Sequence, residues 1–211
     1  VKLDAIVFDF DGVLVESVDV KTKAFAALYR MYGDALVEKV VDYHLIHGGL
    51  SRFEKFRHFH RNFLGIELMP DEEQALGDRF TGLVEEAVVA SSWVPGALEF
   101  LESYHLRLPL YVASGTPDEE LKRIVARRGA VDCFREVFGS PQKKGEILCR
   151  IIEEGKFDRQ RVLMVGDAMT DLDGAREAGT LFLGRVPTGS RNPFPSEVQT
   201  CPDLKGLSSL V

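Results

Sequence analysis

The chain has 211 residues, 45% of them hydrophobic and 28% charged, with a formal net charge of −7. That profile fits a globular protein long enough for one large core and a second, smaller unit. The acidic balance speaks against a nucleic-acid backbone as the main partner, and no apolar run approaches the ~20 residues of a membrane span.

The first apolar run, 3–9, ends in Asp9-Phe10-Asp11-Gly12. Two carboxylates one residue apart at the exit of a buried strand repel each other, and a turn or a helix cap needs only one of them. Chemistry has a use for both: one to attack, one to move protons, and a hard cation to hold them together.

From 16 to 90 the pattern changes to helical periodicity with no convincing strand. Helices are predicted over Lys21–Tyr32, Asp34–His47, Ser51–Leu64 and Pro70–Val89, closed or opened by Gly33, Gly48-Gly49, Ser51, Gly65 and Pro70. Four helices in series are too many for a simple crossover. An inserted helical subdomain over 16–90 is expected, with the sheet domain formed by 1–15 and 91–211. Phe53, Phe56, Phe59 and Phe63 recur at helical spacing and read as its core. Arg57, His58, His60 and Arg61 make a basic face interleaved with them, and the histidines read as surface or packing residues rather than ligands.

Three further apolar runs, 108–114, 161–167 and 180–185, and a weaker one at 136–139, show little alternation. Such strands are buried on both faces, as in a parallel sheet covered by helices. Ligands gather at the carboxyl ends of these strands. There the chain places Ser114-Gly115-Thr116, where Thr116 reads as a helix cap and Pro117 as the first helical residue. A small hydroxyl and free N–H groups near a helix start suit a phosphate. Lys143-Lys144 sits at another helix start, against the dipole preference for acids, which points to an anion partner. Asp167, Asp171 and Asp173 follow the strand 161–167, and capping explains one of these acids but not all three. The tail after Arg185 carries four prolines and reads mostly as loop.

Taken together, these four segments resemble the motifs of the haloacid dehalogenase-like superfamily of phosphotransferases, in order and over nearly the whole chain. The resemblance implies an α/β fold: a Rossmann-like parallel sheet core with an inserted all-α helical cap. It implies that Asp9 is a nucleophile forming an aspartyl-phosphate and that Asp11 is the general acid and then base. It assigns Ser114 and Gly115 to the phosphate and Lys144, with Lys143 as the adjacent alternative, to nucleophile and phosphate. Asp9, Asp11 (through its backbone carbonyl), Asp167 and Asp171 would hold Mg²⁺. Asp11 also separates this chain from the true dehalogenases and from phosphonatases, which depart at this position. In the cap, Gly48-Gly49-Leu50-Ser51-Arg52 resembles a loop of phosphosugar-handling relatives. Arg52 is there to hold a second anionic group, unless Ser51 merely caps a helix and Arg52 is solvated.

The expected activity is Mg²⁺-dependent hydrolysis of a small phosphorylated metabolite. A β-phosphoglucomutase-type mutase and a non-catalytic binding module are the alternatives. A monomer or weak homodimer is expected. Cys133, Cys149 and Cys201 are scattered without metal spacing, so reduced thiols and a cytoplasmic setting are expected, and residues 1–15 read as strand and loop rather than signal peptide.

Overall fold

The computed structural model describes residues 2–211; Val1, the first residue of the range 1–15, lies outside the described residues. Six parallel strands form one sheet: β1 (Ala5–Phe8), β2 (Leu110–Pro117), β3 (Glu136–Ser140), β4 (Val162–Gly166), β5 (Leu181–Arg185) and β6 (Thr200–Cys201). Their order is β3-β2-β1-β4-β5-β6. The first strand lies inside the sheet, in register with β2 on one side and β4 on the other (Ile6 opposite Leu110 and Leu163). The chain runs outward from β1 through β2 to β3 and then crosses back to β4 on the other side of β1, and this reversal makes the carboxyl end of β1 the place where a crevice opens.

The near-continuous apolar runs are explained by burial on both faces. Ile6 and Phe8 point into one core with Phe100, Leu101, Leu121 and Ile124. Ala5 and Val7 point into the other with Ile147, Leu148, Ile151 and Ala175. The first layer is built by α5 (Ala97–Tyr104) and α6 (Asp118–Arg127), the second by α7 (Lys144–Gly155) and α8 (Met169–Ala178).

Between β1 and α5 lie α1 (Val18–Tyr29), α2 (Asp34–Ile46), α3 (Arg52–His58) and α4 (Pro70–Ala90). Phe25 of α1 is their centre, with ring centroids 4.5 Å from Phe80, 5.8 Å from Phe59 and 5.9 Å from Phe56. Close edge-on aromatic packing of this kind adds ~1 kcal/mol per pair to the burial itself. The segments that leave and rejoin the sheet run side by side: Glu16 N–H donates to Ser92 O (3.0 Å) and Val94 N–H to Leu14 O (2.9 Å).

One sequence expectation needs correction and two are refined. The tail is mostly loop, as expected, but Gly184 N–H reaches Gln199 O, Val186 N–H reaches Cys201 O, and Thr200–Cys201 adds a sixth strand. The predicted helix over 51–64 is α-helical only to His58 and continues as a π-helix over Phe59–Leu64. Thr116 is not a helix cap, because β2 runs through Pro117 and α6 opens at Asp118. A register shift between Ala113 and Pro117 lets the strand carry on, and the Thr116 hydroxyl is thereby freed for other work.

Candidate active site

Asp9 follows the last residue of β1 and is almost wholly buried. One oxygen accepts from the Phe10 N–H at 2.6 Å and the other from Lys144 Nζ at 2.7 Å. Lys144 is the first residue of α7, and its ammonium also pairs with Asp171. Lys143 next to it is exposed. Asp171 is fully buried in the first turn of α8. Its other oxygen accepts from the Asp167 and Ala168 N–H groups at 3.1 and 3.0 Å. It therefore caps α8 and aims Lys144 at once. Asp173, the third acid of that run, is exposed.

Asp9, Asp167 and Asp171 each bring a carboxylate oxygen within 4.8 Å of the others. Three acids that close, with one ammonium among them, leave excess negative charge. Burial, then the Asp171 and Asp11 charges, push the Asp9 carboxyl up to about 6 against the pull of Lys144. Burial and the charges of Asp9 and Asp171 hold Asp167 well above the usual carboxylate range. An oxygen-lined cluster short of positive charge fits a hard divalent cation.

Asp11 has a different environment. It accepts from Ser17 Oγ at 2.6 Å and from Thr116 Oγ1 at 3.1 Å, and it pairs with Lys21 of α1. Lys21 also donates to Thr116 Oγ1 at 2.7 Å. Burial works to raise the Asp11 carboxyl, but Lys21 and these donors outweigh it and hold it below the usual value. Two aspartates one residue apart are thus driven in opposite directions.

Ser114 is buried within β2, three residues before its end, and its hydroxyl accepts from the Thr116 N–H at 3.2 Å. Gly115 has a neighbour the sequence did not announce. A Cβ there would run into the carbonyl oxygen of Gly49. Gly49, at φ +75°, is packed so that a Cβ would strike the Thr170 hydroxyl and come within 3.1 Å of Lys144 Nζ. Thr170 Oγ1 donates to Gly48 O at 2.9 Å. The two glycines let the 48–50 loop of the helical insertion lie directly on the sheet edge that carries the acids.

Arg52 is neither solvated nor free. It is 5% exposed. Its guanidinium donates to both oxygens of Glu120 on α6, at 2.9 and 2.5 Å, and to Thr81 Oγ1 at 2.8 Å, while lying 4.5 Å above the Phe80 ring. Ser51 Oγ accepts from the Glu54 N–H at 3.5 Å, a weak cap. The buried fork therefore ties the insertion to α6, and the charge Arg52 would offer an anion is already matched by Glu120.

The acids open into a cleft of about 530 Å³ whose walls include Asp9, Asp11, Ser114 and Asp167 on the sheet side and Arg52 and Lys55 on the insertion side. Arg185 at the end of β5 closes one flank. It donates to Gly12 O at 3.1 Å and to both oxygens of Glu16 at 3.0 and 2.6 Å. Lys21, Arg185, His44 and Lys55 were not singled out from the sequence, and Thr116 was read only as a helix cap. Lys21 and Thr116 carry a faint signal, being polar and close to motif residues. The others carry none until the fold brings them in.

Residues 3–179 match the family described as haloacid dehalogenase-like hydrolase. The chain is 26% identical over 205 residues to a phosphoglycolate phosphatase from Synechococcus elongatus, covering 95% of this chain and 91% of that one. It is 24% identical over 184 residues to a phosphorylated carbohydrates phosphatase from Thermotoga maritima, covering 84% and 82%. A crystal structure described as a predicted phosphoglycolate phosphatase from Haemophilus somnus superposes with a TM-score of 0.76 at 18% identity, over 100% of this chain and 98% of the other. Among the described residues no helix is long and apolar enough to cross a membrane.

Proposed function

The chain belongs to the haloacid dehalogenase-like hydrolases, and from that premise we propose that it hydrolyses phosphomonoesters of small metabolites through an aspartyl-phosphate on Asp9, with Mg²⁺ as cofactor. The observation that carries this reading is the gathering of Asp9, Asp167 and Asp171 around the Lys144 ammonium, with Asp11 and Ser114 beside them on the wall of one cleft. The names of the two relatives, both phosphatases, support it.

Asp9 attacks phosphorus; the new O–P bond forms as the ester P–O bond breaks, and the leaving oxygen takes a proton from Asp11. Water then attacks the phosphorus, Asp11 takes its proton, and Asp9 is released with inorganic phosphate. Lys144 steadies the Asp9 oxygen that it binds at 2.7 Å, and the Ser114 hydroxyl and the Gly115 N–H face the phosphoryl oxygens. Lys21 keeps Asp11 ionised in the state described, which is the form that receives a proton from water. The first step uses the protonated form, which the second step regenerates when Asp11 takes the proton of the attacking water. Asp9, Asp167, Asp171 and the Asp11 carbonyl would hold the Mg²⁺. When bound, it would supply positive charge against the crowded acids and the phosphoryl group. The 48–50 loop packs on the sheet edge beside these groups.

Phosphate release from a panel of phosphomonoesters, with Mg²⁺ and with EDTA, tests this directly. Release that EDTA abolishes is expected, and added Mg²⁺ is expected to raise the melting temperature. No turnover of any ester would leave a binding module. Conversion of a 1-phosphosugar to its 6-phosphate with a bisphosphate primer, without free phosphate, would make the protein a mutase.

Gly115→Ala forces the 48–50 loop off the sheet edge. It is expected to lower kcat/KM by about 10- to 100-fold, the scale on which small misplacements act, with little change in melting temperature. Unchanged kinetics would show that the loop contact has no part in turnover.

A further inference from the structure

One cation on the cleft wall has no counter-charge. Lys55 of α3 is 3% exposed, yet among the described residues it has no carboxylate partner. Its ammonium has one hydrogen bond, to His44 Nδ1 of α2 at 2.9 Å. With the ammonium donating to Nδ1, the imidazole proton sits on Nε2, and that buried nitrogen has no partner at all. Both side chains line the same cleft as Asp9 and Asp11.

The contrast with Arg52 one turn earlier is informative. Arg52 is matched by two carboxylate oxygens. Lys55 is as deeply buried and is matched by none. A buried ammonium without an anion is costly, and an apolar residue of the same length would fill this place against Phe25 without that cost. Burial first, then the Lys21 charge, hold the Lys55 ammonium down at about 7. Asp11 and Asp167 pull the other way. An arriving anion would restore its full charge.

We infer that Lys55 and His44 form a second anion subsite in the cleft, so that the substrate carries an acidic group, carboxylate or phosphate, remote from the phosphoryl group that Asp9 attacks. This rests on the phosphomonoesterase reading above and narrows its substrate class. Two free N–H bonds of the ammonium and the Nε2–H of His44 are the donors. The distal group is an acceptor of at least two hydrogen bonds, which both a carboxylate and a phosphate satisfy. The cleft volume suits a small metabolite carrying both groups.

Matched ester pairs test the subsite. 2-Phosphoglycolate is compared with 2-hydroxyethyl phosphate, and a hexose bisphosphate with the corresponding hexose monophosphate. Wild type is expected to prefer at least one acidic member. In Lys55→Gln, kcat/KM on that member is expected to fall at least 30-fold further than on its uncharged counterpart, mostly through KM, with His44→Gln showing the same bias more weakly. Which pair shows the bias distinguishes carboxylate from phosphate. Equal losses on both members of each pair, in variants with normal melting transitions, would overturn the subsite while leaving the hydrolase reading intact. If wild type releases phosphate from no ester, the hydrolase reading fails instead. Calorimetric binding of the same four esters to wild type and Lys55→Gln then decides the subsite: weakened binding of the acidic members alone supports it, and identical binding refutes it.

Discussion

Asp9→Asn is expected to fold, to melt higher than wild type without metal at pH 7.5, and to release phosphate at no more than roughly a thousandth of the wild-type rate, the scale on which losing a nucleophile acts. The loss follows from chemistry: an amide oxygen accepts the Phe10 N–H as the carboxylate does but does not displace an alkoxide from phosphorus. The gain follows from electrostatics. Asp9 is an acid whose folded value, about 6, lies above the ordinary 3.8. Below pH 3.8 it is protonated in folded and unfolded chains alike and costs nothing. As pH rises to 6 the unfolded chain ionises first, and the fold loses stability until Asp9 ionises too; above that the cost is constant. That gap corresponds to about 2–3 kcal/mol as an upper bound. The pull of Lys144 is already contained in that gap, so a gain on the order of 2 kcal/mol is expected. Denaturant melts of both proteins between pH 4 and 8 check the sign: the advantage of the variant is expected to open between pH 4 and 6 and then hold. An advantage that shrinks over this range would mean that Lys144 dominates Asp9.

The second large effect is on stability alone. Lys55→Met is expected to raise the unfolding free energy at pH 7 by about 2 kcal/mol, even as it harms the cleft. Here the group is a base, and its folded value has dropped from 10.5 to about 7. Above pH 10.5 the lysine is neutral in both states and the penalty vanishes. As pH falls the unfolded chain takes up the proton first, and the penalty grows until about pH 7, where the folded protein takes it up as well. Its full size is on the order of 4 kcal/mol, from which the lost bond to His44 subtracts about 1 kcal/mol or more. His44 keeps its own preference for neutrality, because burial, then Lys55 and Lys21, press it down to about 3. Urea unfolding at pH 7 and at pH 9.5 separates the readings. The stabilisation is expected to be larger at pH 7. A variant less stable than wild type at both values would show that Lys55 holds the insertion together rather than straining it. A stabilising substitution that costs function is the usual mark of a residue kept for its site.

The parts of the fold that could be read from the chain are those in which local chemistry and tertiary place agree. Ile6, Val7 and Phe8 are apolar on both faces and buried on both, so the run announces a central parallel strand. Asp9, Asp11, Ser114 and Asp167 stand at strand ends, and strand ends meet at one edge of a parallel sheet. β6 was invisible because two residues, Thr200 and Cys201, carry no periodicity; only pairing with Gly184 and Arg185 makes them a strand. Thr116 was misread because the sequence Thr-Pro-Asp suits a helix start one residue early, and the register shift in β2 decides otherwise. Lys55 could not be found by pattern. A lysine on a helix among arginines and histidines reads as solvent-facing, and its burial arises when the insertion folds onto the sheet domain. Arg52 was legible as a cation near the site, but its partner Glu120 lies on α6, far along the chain. Local spacing reports a charge and is silent about what cancels it.

The most direct measurement is chemical trapping of the intermediate. Wild-type protein turning over a phosphomonoester that it hydrolyses is quenched in acid, reduced with borohydride and digested, and peptides covering residues 1–15 are read by mass spectrometry. An acyl phosphate at position 9 is reduced to homoserine, so homoserine at that position, absent when substrate is omitted, is the expected result. Homoserine at position 11, 167 or 171 instead, or an unmodified Asp9 in protein quenched during steady turnover, would contradict Asp9 as the nucleophile.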